Sequence, residues 1–295
     1  MQLRVPAADL ALRDTLECGQ AFRWRVVDGR YAGYIGRAAV HVAQDGAELL
    51  VKTSDASLTP ERIRHYFALD LPLSAILSSI DVDAQIHRAI ERHRGLRVLR
   101  QDPWECLASF ICSSFNNIVR IQGMIERLCE AFGEPVEFDG FRGWTFPAPR
   151  AIAAVSERRL RALGLGFRAP YLHATARLVA DGGLPLETLQ RADYRTTMSA
   201  LLACDGVGEK VADCVALFGC EKYEAFPVDV WVERAMRYYF GARRLSLPKT
   251  RAFAHRHFGR YAGYAQQYLY HDIRTTRAAP VRPPAPRRRP ILAYG

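Results

Sequence analysis

The sequence predicts an α+β fold, in which a small antiparallel β-sheet comes first and a mostly helical part follows. In residues 1 to about 58, short apolar segments are separated by the pairs Asp28-Gly29 and Asp45-Gly46. Asp-Gly pairs between apolar segments are typical of β-hairpins, so these segments are expected to pair with one another. From Pro60 onward, apolar residues recur at the spacing of an α-helix.

The chain is expected to divide into three parts, namely two domains and a C-terminal tail. Residues 1–100 form the first, with strands at 21–27, 31–35, 38–43 and 48–53 and helices at 61–69, 73–80 and 83–94. The second, residues 101–276, begins at Asp102-Pro103, because proline is favoured in the first turn of a helix. The third, residues 277–295, contains five prolines and five arginines. This composition indicates a disordered basic tail that either contacts DNA or keeps the protein soluble.

The helical domain is expected to contain a series of helices with one irregular stretch. The helices are predicted at 104–115, 118–132, 157–163, 169–180, 194–204, 209–218, 230–240, 249–258 and 260–274. Residues 133–147 are rich in aromatic and glycine residues and are predicted to form an irregular loop.

Composition and charge restrict the kind of protein this can be. The chain of 295 residues is 49% apolar, which is enough for a substantial core. It has 41 basic and 31 acidic residues, a net charge of +10, which favours an acidic partner such as nucleic acid. Its first 16 residues lack an apolar signal core, and no apolar run is long enough to span a membrane. We expect a soluble monomer.

The cysteines indicate a reducing compartment. There are seven, and no two of them form a Cys-x-x-Cys pair. An odd number without such pairs is typical of free thiols in an intracellular protein, and it argues against a zinc ribbon.

The centre of the helical domain is a pair of apolar helical runs joined by the tight turn Asp205-Gly206-Val207-Gly208. Two helices joined by a glycine turn form a hairpin, and the free N–H groups at the start of the second helix can bind an anion. A DNA phosphate would fit this position, and we expect its contacts at Gly206, Gly208 and Val211.

Two charged residues flank the second helix of this hairpin. Lys210 lies in its first turn, and Asp229 follows 19 residues later, directly before another helical run. The ordinary interpretations are a solvated surface charge for Lys210 and a helix N-cap for Asp229. However, only 4 of the 41 basic residues are lysines, and an amine can act as a nucleophile where a guanidinium cannot. Lys210 is therefore a candidate nucleophile, while the ordinary interpretations stay open.

The hairpin, the lysine and the aspartate together resemble the helix-hairpin-helix DNA glycosylases. The motifs that carry the resemblance are Gly206-Val207-Gly208-Glu209-Lys210 and Pro227-Val228-Asp229. The sequence Val211-Ala212-Asp213-Cys214 resembles the 8-oxoguanine DNA glycosylase family in particular. Residues 18–24, 113–121 and 164–169 are also similar to segments of that family, so the resemblance covers about residues 3–275. It implies two helical subdomains with a DNA cleft between them.

The resemblance implies roles for the pocket residues. Lys210 would attack the sugar C1′ as the damaged base leaves, and Asp229 would stabilise the positive charge that develops on the sugar. The flipped base would lie against Gly19, Cys214, Gln266 and Tyr270, where the family has phenylalanine in place of Tyr270. The carbonyl of Gly19 would accept a hydrogen bond from N7–H, which oxidised guanine has and guanine lacks.

Four residues are implied to face the unpaired cytosine: Phe115, Arg120, Phe167 and Arg168. Phe115 replaces an asparagine of the family, and it can fill the gap in the duplex but cannot hydrogen-bond cytosine. We therefore expect a preference for cytosine that is weaker than the family's and depends on the two arginines. Asn116 and Asn117 are expected at DNA phosphates, and Asn117 also as the cap of the next helix.

The resemblance also implies which cofactors to expect. The chemistry requires no redox cofactor. Relatives with an iron–sulfur cluster carry four cysteines after the aspartate, whereas no cysteine follows Cys220 here, so we expect no iron–sulfur cluster. The carbonyl groups of Leu202, Cys204 and Val207 are candidates for binding a monovalent or calcium ion, as in relatives.

The sequence thus predicts a bifunctional DNA glycosylase and abasic-site lyase that excises 8-oxoguanine, preferably opposite cytosine, from duplex DNA. We expect it to be intracellular and associated with DNA. Two alternatives stay open. A non-catalytic helix-hairpin-helix DNA-binding module needs the glycines but not Lys210 and Asp229 together. A glycosylase of the same superfamily would act on another lesion.

Overall fold

The structure, a computed structural model of the chain, describes residues 1–240 and 246–276. An antiparallel sheet near the N-terminus is followed by helices, which confirms the predicted α+β fold. The basic tail, residues 277–295, and the prediction that it is disordered lie outside the described residues. Of the helices that are described, none is long and apolar enough to cross a membrane.

The N-terminal sheet has five antiparallel strands in the order β1-β5-β4-β3-β2. The strands are β1 (Gln2–Pro6), β2 (Arg25–Val27), β3 (Arg30–Ile35), β4 (Ala38–Asp45) and β5 (Glu48–Thr53). Val27 pairs with Arg30, so the turn Asp28-Gly29 joins two neighbouring strands as predicted. Strand β1 was not predicted, because its pairing with β5 spans more than 40 residues of sequence and leaves no local turn signal.

The helices follow the predicted order with shifted ends. They are α1 (Leu12–Glu17), α2 (Pro60–Tyr66), α3 (Leu73–Ile80), α4 (Ala84–Arg92), α5 (Pro103–Cys112), α6 (Ile118–Phe132), α7 (Pro149–Ala153), α8 (Glu157–Leu160), α9 (Ala169–Ala180), α10 (Leu186–Arg191), α11 (Tyr194–Leu202), α12 (Glu209–Phe218), α13 (Val230–Phe240), α14 (Leu247–Phe258) and α15 (Ala262–Thr276). Helices α1, α7 and α10 were not predicted.

Side-chain caps set several helix starts where the sequence indicated them. The carboxylate of Asp102 accepts a hydrogen bond from the amide of Glu105 at 2.8 Å, with Pro103 in the first turn of α5. Asn117 caps α6 through the amide of Arg120 at 3.0 Å. The predicted helix start at Asp102-Pro103 and the predicted cap at Asn117 are both confirmed.

The predicted irregular loop at residues 133–147 is wrong. It contains a hairpin of two strands, β6 (Pro135–Phe138) and β7 (Phe141–Trp144), which are joined by Asp139-Gly140. This is the same Asp-Gly turn signal that predicted the first sheet. The hairpin packs on that sheet, with the rings of Phe138 and His41 5.5 Å apart.

The buried side chains form two clusters. The smaller one lies between the sheet, α1 and α2 and includes Val5, Val40 and Phe67. The larger one fills the helical part and also takes in Ile76 of α3 and Ile90 of α4. Two helices that precede residue 101 thus pack into the helical core, and the division at residue 100 stays a prediction.

Candidate active site

A cavity of about 770 Å³ opens between the N-terminal part and the helical part of the molecule. A volume of this size suits a small molecule or a nucleobase with part of its sugar. The predicted site residues that line the cavity are Gly19, Phe115, Asn116, Asn117, Arg120, Lys210, Cys214, Asp229, Gln266 and Tyr270. The structure therefore brings together side chains that are up to about 250 residues apart in sequence.

Lys210 enters the cavity from the first turn of α12. Its Nζ lies 3.2 Å from the hydroxyl oxygen of Ser113 and 5.0 Å from the centre of the Phe110 ring. Among the described residues, no carboxylate forms an ion pair with it. The amine is thus held at the cavity wall by a neutral hydroxyl and a ring, and it is not engaged by an opposite charge.

Asp229 caps α13 and also lines the cavity. One carboxylate oxygen accepts hydrogen bonds from the amides of Trp231 and Val232, each at 2.9 Å. The predicted N-cap is confirmed. Removal from solvent raises the pKa of this carboxyl above its usual value, and the amide of Val232 and the charge of Lys210 oppose the rise. The carboxylate thus bonds to backbone amides and forms no ion pair within the described part of the chain.

Cys214 lies one turn after Lys210 on the same side of α12. Burial raises the pKa of its thiol to about 12, although the charge of Lys210 acts in the other direction. Because only the thiolate is a strong nucleophile, Cys214 is a wall of the cavity rather than a competitor of Lys210.

The far end of the cavity is polar and partly unpaired. Gln266 is 4% exposed, and its side-chain oxygen has no hydrogen-bond partner among the described residues. A buried amide oxygen without a partner is costly in a protein, so a ligand that donates to it would remove the cost. Arg274 lies two turns further along the same helix, α15, and its guanidinium is 5.1 Å from the centre of the Tyr270 ring.

Gly19 has no room for a side chain. Its φ of +85° lies in the left-handed region, and a Cβ placed on it would lie 3.1 Å from Arg274 and 3.4 Å from the Tyr270 hydroxyl. The adjacent Gln20 is fully buried, and its amide bonds to the backbone of Thr15, Arg97 and Leu99 at 2.8 Å each. This buried amide fixes the Gly19 peptide relative to α15.

Two aromatic rings stand at the cavity mouth. Phe115 is 98% exposed, and its φ of +50° is unusual for a residue with a side chain. Its ring lies 6.3 Å from that of Phe167, which is 48% exposed. Two neighbouring rings that face solvent indicate a surface on which another flat group stacks.

The two arginines at the mouth differ. Arg168 is 8% exposed, donates to the carbonyl of Ser114 and, at 3.4 Å, to that of Phe115, and lies 4.3 Å from the Phe167 ring. Arg120 is exposed, and its guanidinium has no hydrogen bond or ion pair within the described part of the chain. Arg168 therefore supports the loop that carries Phe115, whereas Arg120 is free to bind a partner.

The hairpin turn lies beside the cavity. A Cβ on Gly206 would overlap the Tyr171 ring, whereas one on Gly208 would meet nothing within 4 Å. The backbone at Gly208 and at the start of α12 is thus open to an approaching group. The side chain of Val211 is buried, so only its backbone amide is available for a phosphate.

Three other predictions concern groups around the hairpin and the loop before α6. The carbonyl of Cys204 accepts from the amide of Val207 at 3.1 Å, which leaves the oxygen one further lone pair. An ion at Leu202, Cys204 and Val207 stays a prediction. The side-chain amide of Asn116 donates to the carbonyl of Cys112 at 3.4 Å, and Asn117 is exposed.

Several residues that line the cavity were not predicted as site residues, among them Ser113, Trp231 and Arg274. Arg274 could have been found, because Gln266, Tyr270 and Arg274 continue one helical spacing of four residues. Ser113 lies in a serine–asparagine cluster that was interpreted as a helix break. Nothing in the sequence around Trp231 marks it.

A helix-hairpin-helix whose second helix places a lysine in a cavity that an aspartate also lines defines a base-excision DNA repair protein of the helix-hairpin-helix class. Comparison with known families agrees. Residues 2–107 match the model described as 8-oxoguanine DNA glycosylase, N-terminal domain, and residues 108–257 match that of the HhH-GPD superfamily base excision DNA repair protein. The chain belongs to the 8-oxoguanine DNA glycosylase family.

Individual relatives support this assignment over nearly the whole chain. A probable N-glycosylase/DNA lyase of Methanothermobacter thermautotrophicus is 31% identical over 92% of this chain and 96% of that protein. The N-glycosylase/DNA lyase OGG1 of Arabidopsis thaliana is 32% identical over 91% of this chain and 78% of that protein. The 8-oxoguanine glycosylase/lyase of Clostridium acetobutylicum, solved with DNA containing cytosine opposite 8-oxoguanine, superimposes with a TM-score of 0.87 at 34% identity. The two structures match over 90% of this chain and 92% of that one.

Proposed function

We propose that the protein is a bifunctional DNA glycosylase and abasic-site lyase that removes 8-oxoguanine from duplex DNA in base excision repair. One observation carries the proposal: Lys210 and Asp229 face the same cavity as the unpaired amide oxygen of Gln266. A non-catalytic DNA-binding module does not need a cavity lined by an amine and a carboxylate that form no ion pairs.

DNA binding begins with the backbone. The net charge of +10 and the open amides at the start of α12 attract phosphates. The exposed rings of Phe115 and Phe167 then fill the gap that is left in the duplex when the damaged nucleotide is flipped out. Unstacking one base costs a few kcal/mol, and stacking on these rings offsets part of that cost.

The flipped base lies between Cys214 and Tyr270, with its edge towards Gln266 and Gly19. The carbonyl oxygen of Gly19 accepts no hydrogen bond among the described residues, so it is available to N7–H of 8-oxoguanine. Guanine presents a lone pair at N7, and two facing lone pairs repel. This contact favours the oxidised base over guanine, and it argues against a glycosylase for a lesion without N7–H.

Excision and strand cleavage share Lys210. Its neutral amine forms a bond to C1′ as the C1′–N9 bond breaks, and the electron pair of that bond leaves with the base. The base takes up a proton, and the nitrogen bonded to C1′ loses one. Opening of the sugar ring gives a Schiff base between C1′ and Nζ. Loss of a C2′ proton then expels the 3′ phosphate, and water finally releases Lys210. No step requires a redox cofactor.

Asp229 stabilises the positive charge on the sugar. Its carboxylate is fixed by two backbone amides and cannot move towards another partner, so it does not have to reorganise when the charge develops. The capping role and the catalytic role are therefore compatible.

Trapping with borohydride tests the proposal, because reduction of the Schiff base joins enzyme and DNA covalently. Wild type should give a trapped complex with 8-oxoguanine DNA, and Lys210→Gln should give none while still binding the DNA. Lys249→Gln is the matched control, since Lys249 also lies in the first turn of a helix but outside the cavity. Normal trapping by Lys210→Gln would place the nucleophile elsewhere.

A further inference from the structure

A second group of ionisable side chains lies outside the catalytic cavity. It consists of Asp14 of α1, His93 at the end of α4 and His271 of α15. Each of them offers one potential ligand atom, and these atoms lie within 4.8 Å of one another. Nδ1 of His93 is 2.9 Å from one oxygen of Asp14, and Nε2 of His271 is 3.6 Å from the other. Both imidazole groups are buried, at 8% and 6% exposure.

We propose that Asp14, His93 and His271 form a binding site for one divalent transition-metal ion of the zinc type. Two imidazole nitrogens and one carboxylate oxygen are the donors that such ions prefer, and three protein ligands leave a fourth position for water. The short distances among these atoms fit ligands that surround a single ion at about 2 Å each. The partly exposed carboxylate of Asp14 gives the ion a path from solvent.

An independent feature of the surroundings supports the assignment. The second nitrogen of His93, Nε2, lies 3.6 Å from a carboxylate oxygen of Asp272 and 3.4 Å from the hydroxyl of Thr275. Metal-bound histidines commonly donate their other N–H to a carboxylate, which fixes the tautomer and the ring. Asp272 is itself held, because it accepts hydrogen bonds from Arg92 at 2.9 Å and from Tyr239.

The same residues can also form a cluster of ion pairs without a metal. His93 lies between the carboxylates of Asp14 and Asp272 and can carry a proton there, so an entering ion has to displace that proton. His271 contacts Asp14 with either occupant, since its Nε2 lies 3.6 Å from the second oxygen of Asp14. The measurement that separates the two occupants is therefore zinc binding, for which His271 would be the third ligand.

An ion at this site would act on the position of Gly19, and this consequence rests on the proposed function. The site joins α1, which leads directly into Cys18 and Gly19, to α15, which carries Gln266 and Tyr270. The carbonyl of Cys18 already accepts from Gln267 at 3.3 Å and from Arg274 at 3.4 Å. A bound ion would add a stronger connection between the same two segments one turn away.

The test uses the purified full-length chain, stripped with a chelator and then titrated with Zn²⁺ against a chromophoric competitor. We expect one ion per chain and a rise in melting temperature of about 5 °C when zinc is well above its dissociation constant. Co²⁺ should give absorption from nitrogen and oxygen ligands without thiolate charge-transfer bands, which separates this site from the seven cysteines.

Variants then identify the ligands. His271→Ala should weaken zinc binding at least about tenfold, and Asp272→Asn should weaken it by about 10–100-fold although it is no ligand. His87→Ala is the matched control, because His87 also pairs with an aspartate, Asp81 at 2.9 Å, but at the surface. If stripped wild type binds no zinc, or if His271→Ala binds as well as wild type, the residues form an ion-pair cluster only. Borohydride trapping in the chelated protein is scored separately, so failure here leaves the proposed excision activity standing.

Discussion

The two sides of helix α12 both carry ionisable side chains, but these form ion pairs on one side and none on the other. On the side away from the cavity, Asp213 is fully buried, and its carboxylate contacts Arg251 and the Tyr194 hydroxyl, each at 2.6 Å. Glu209 adds a second ion pair to Arg251 at 3.1 Å. On the cavity side, Lys210 contacts the Ser113 hydroxyl and the Phe110 ring, and it forms no ion pair within the described part of the chain.

The difference shows how one helix combines a structural and a catalytic role. The ion pairs of Asp213 and Glu209 attach α12 to α14 and so hold the hairpin in place. The charge of Lys210 has no opposite partner, and the nearest acid of the cavity, Asp229, bonds to backbone amides instead. Side chains in ion pairs stabilise this site, whereas Lys210 and Asp229, which form no ion pair within the described part of the chain, are available for the reaction.

The largest expected effect comes from Asp229, a cavity residue that forms no ion pair within the described part of the chain. Asp229→Asn keeps a side chain that can cap α13 but removes the negative charge. We expect the single-turnover rate of 8-oxoguanine excision to fall by about 10²–10³, because electrostatic stabilisation of the sugar is lost. DNA affinity should change little. A nearly normal rate in the variant would reduce Asp229 to a helix cap.

The same variant should not be less stable at neutral pH. Desolvation raises the pKa of Asp229 in the folded protein, so its ionised form opposes folding at pH values above that pKa. Asp229→Asn should therefore melt at or above the wild-type temperature at pH 8. The advantage should shrink as the pH falls and disappear below the usual aspartate value of 3.8. Melting curves at several pH values measure this, and a variant that melts lower at pH 8 would contradict it.

The paired side should show the reverse behaviour. Asp213→Asn leaves Arg251 without its closest partner in a largely buried position. Burial raises the pKa of the Asp213 carboxyl too, so removing its charge gives back part of the loss, but the unpaired Arg251 should still lower the free energy of unfolding by about 3 kcal/mol. The loss lies at the low end for a buried pair, because Arg251 keeps Glu209. Denaturant titration measures the change. Below the melting temperature the folded variant should excise at close to the wild-type rate, and a large loss of rate would show that the two sides are not separate.

The sequence could predict the unpaired side better than the paired one. Lys210, Asp229 and the glycines of the hairpin form a local pattern with a chemical meaning. The partner of Asp213 is 38 residues away in sequence and is one of 37 arginines, so no spacing rule selects Arg251. The missed strand β1 has the same cause, since its partner β5 lies far along the chain. The missed hairpin β6–β7 is different, because its Asp139-Gly140 turn was visible and only the pattern of the flanking residues is weak.

The presence or absence of a bonding partner also distinguishes the two arginines at the cavity mouth. Arg120 has a free guanidinium, so we expect it to read the base opposite the lesion, and Arg120→Ala should reduce the preference for cytosine by about tenfold. Arg168 bonds to the backbone of Ser114 and Phe115, so Arg168→Ala should lower activity opposite all four bases together. Single-turnover cleavage of 8-oxoguanine opposite each base measures both. Unchanged discrimination in Arg120→Ala would contradict the assignment.

Phe115 offers the smallest and most specific change. Its ring is exposed beside Phe167 and can stack in the gap of the duplex, but stacking does not distinguish one opposite base from another. Phe115→Asn replaces the ring by an amide that can hydrogen-bond cytosine, and one such bond contributes about 0.5–1.5 kcal/mol, or roughly 2–10-fold. Asparagine also adopts the φ of +50° at this position more readily than phenylalanine, so the loop should keep its shape. We therefore expect a sharper preference for cytosine together with weaker binding of DNA, since the stacking ring is lost.

Phe167→Leu is the control, because it removes a ring without adding a polar group, and it should weaken binding with no gain in discrimination. If Phe115→Asn gains no preference for cytosine, the residue at this position does not reach the opposite base, and its ring acts only as a wedge.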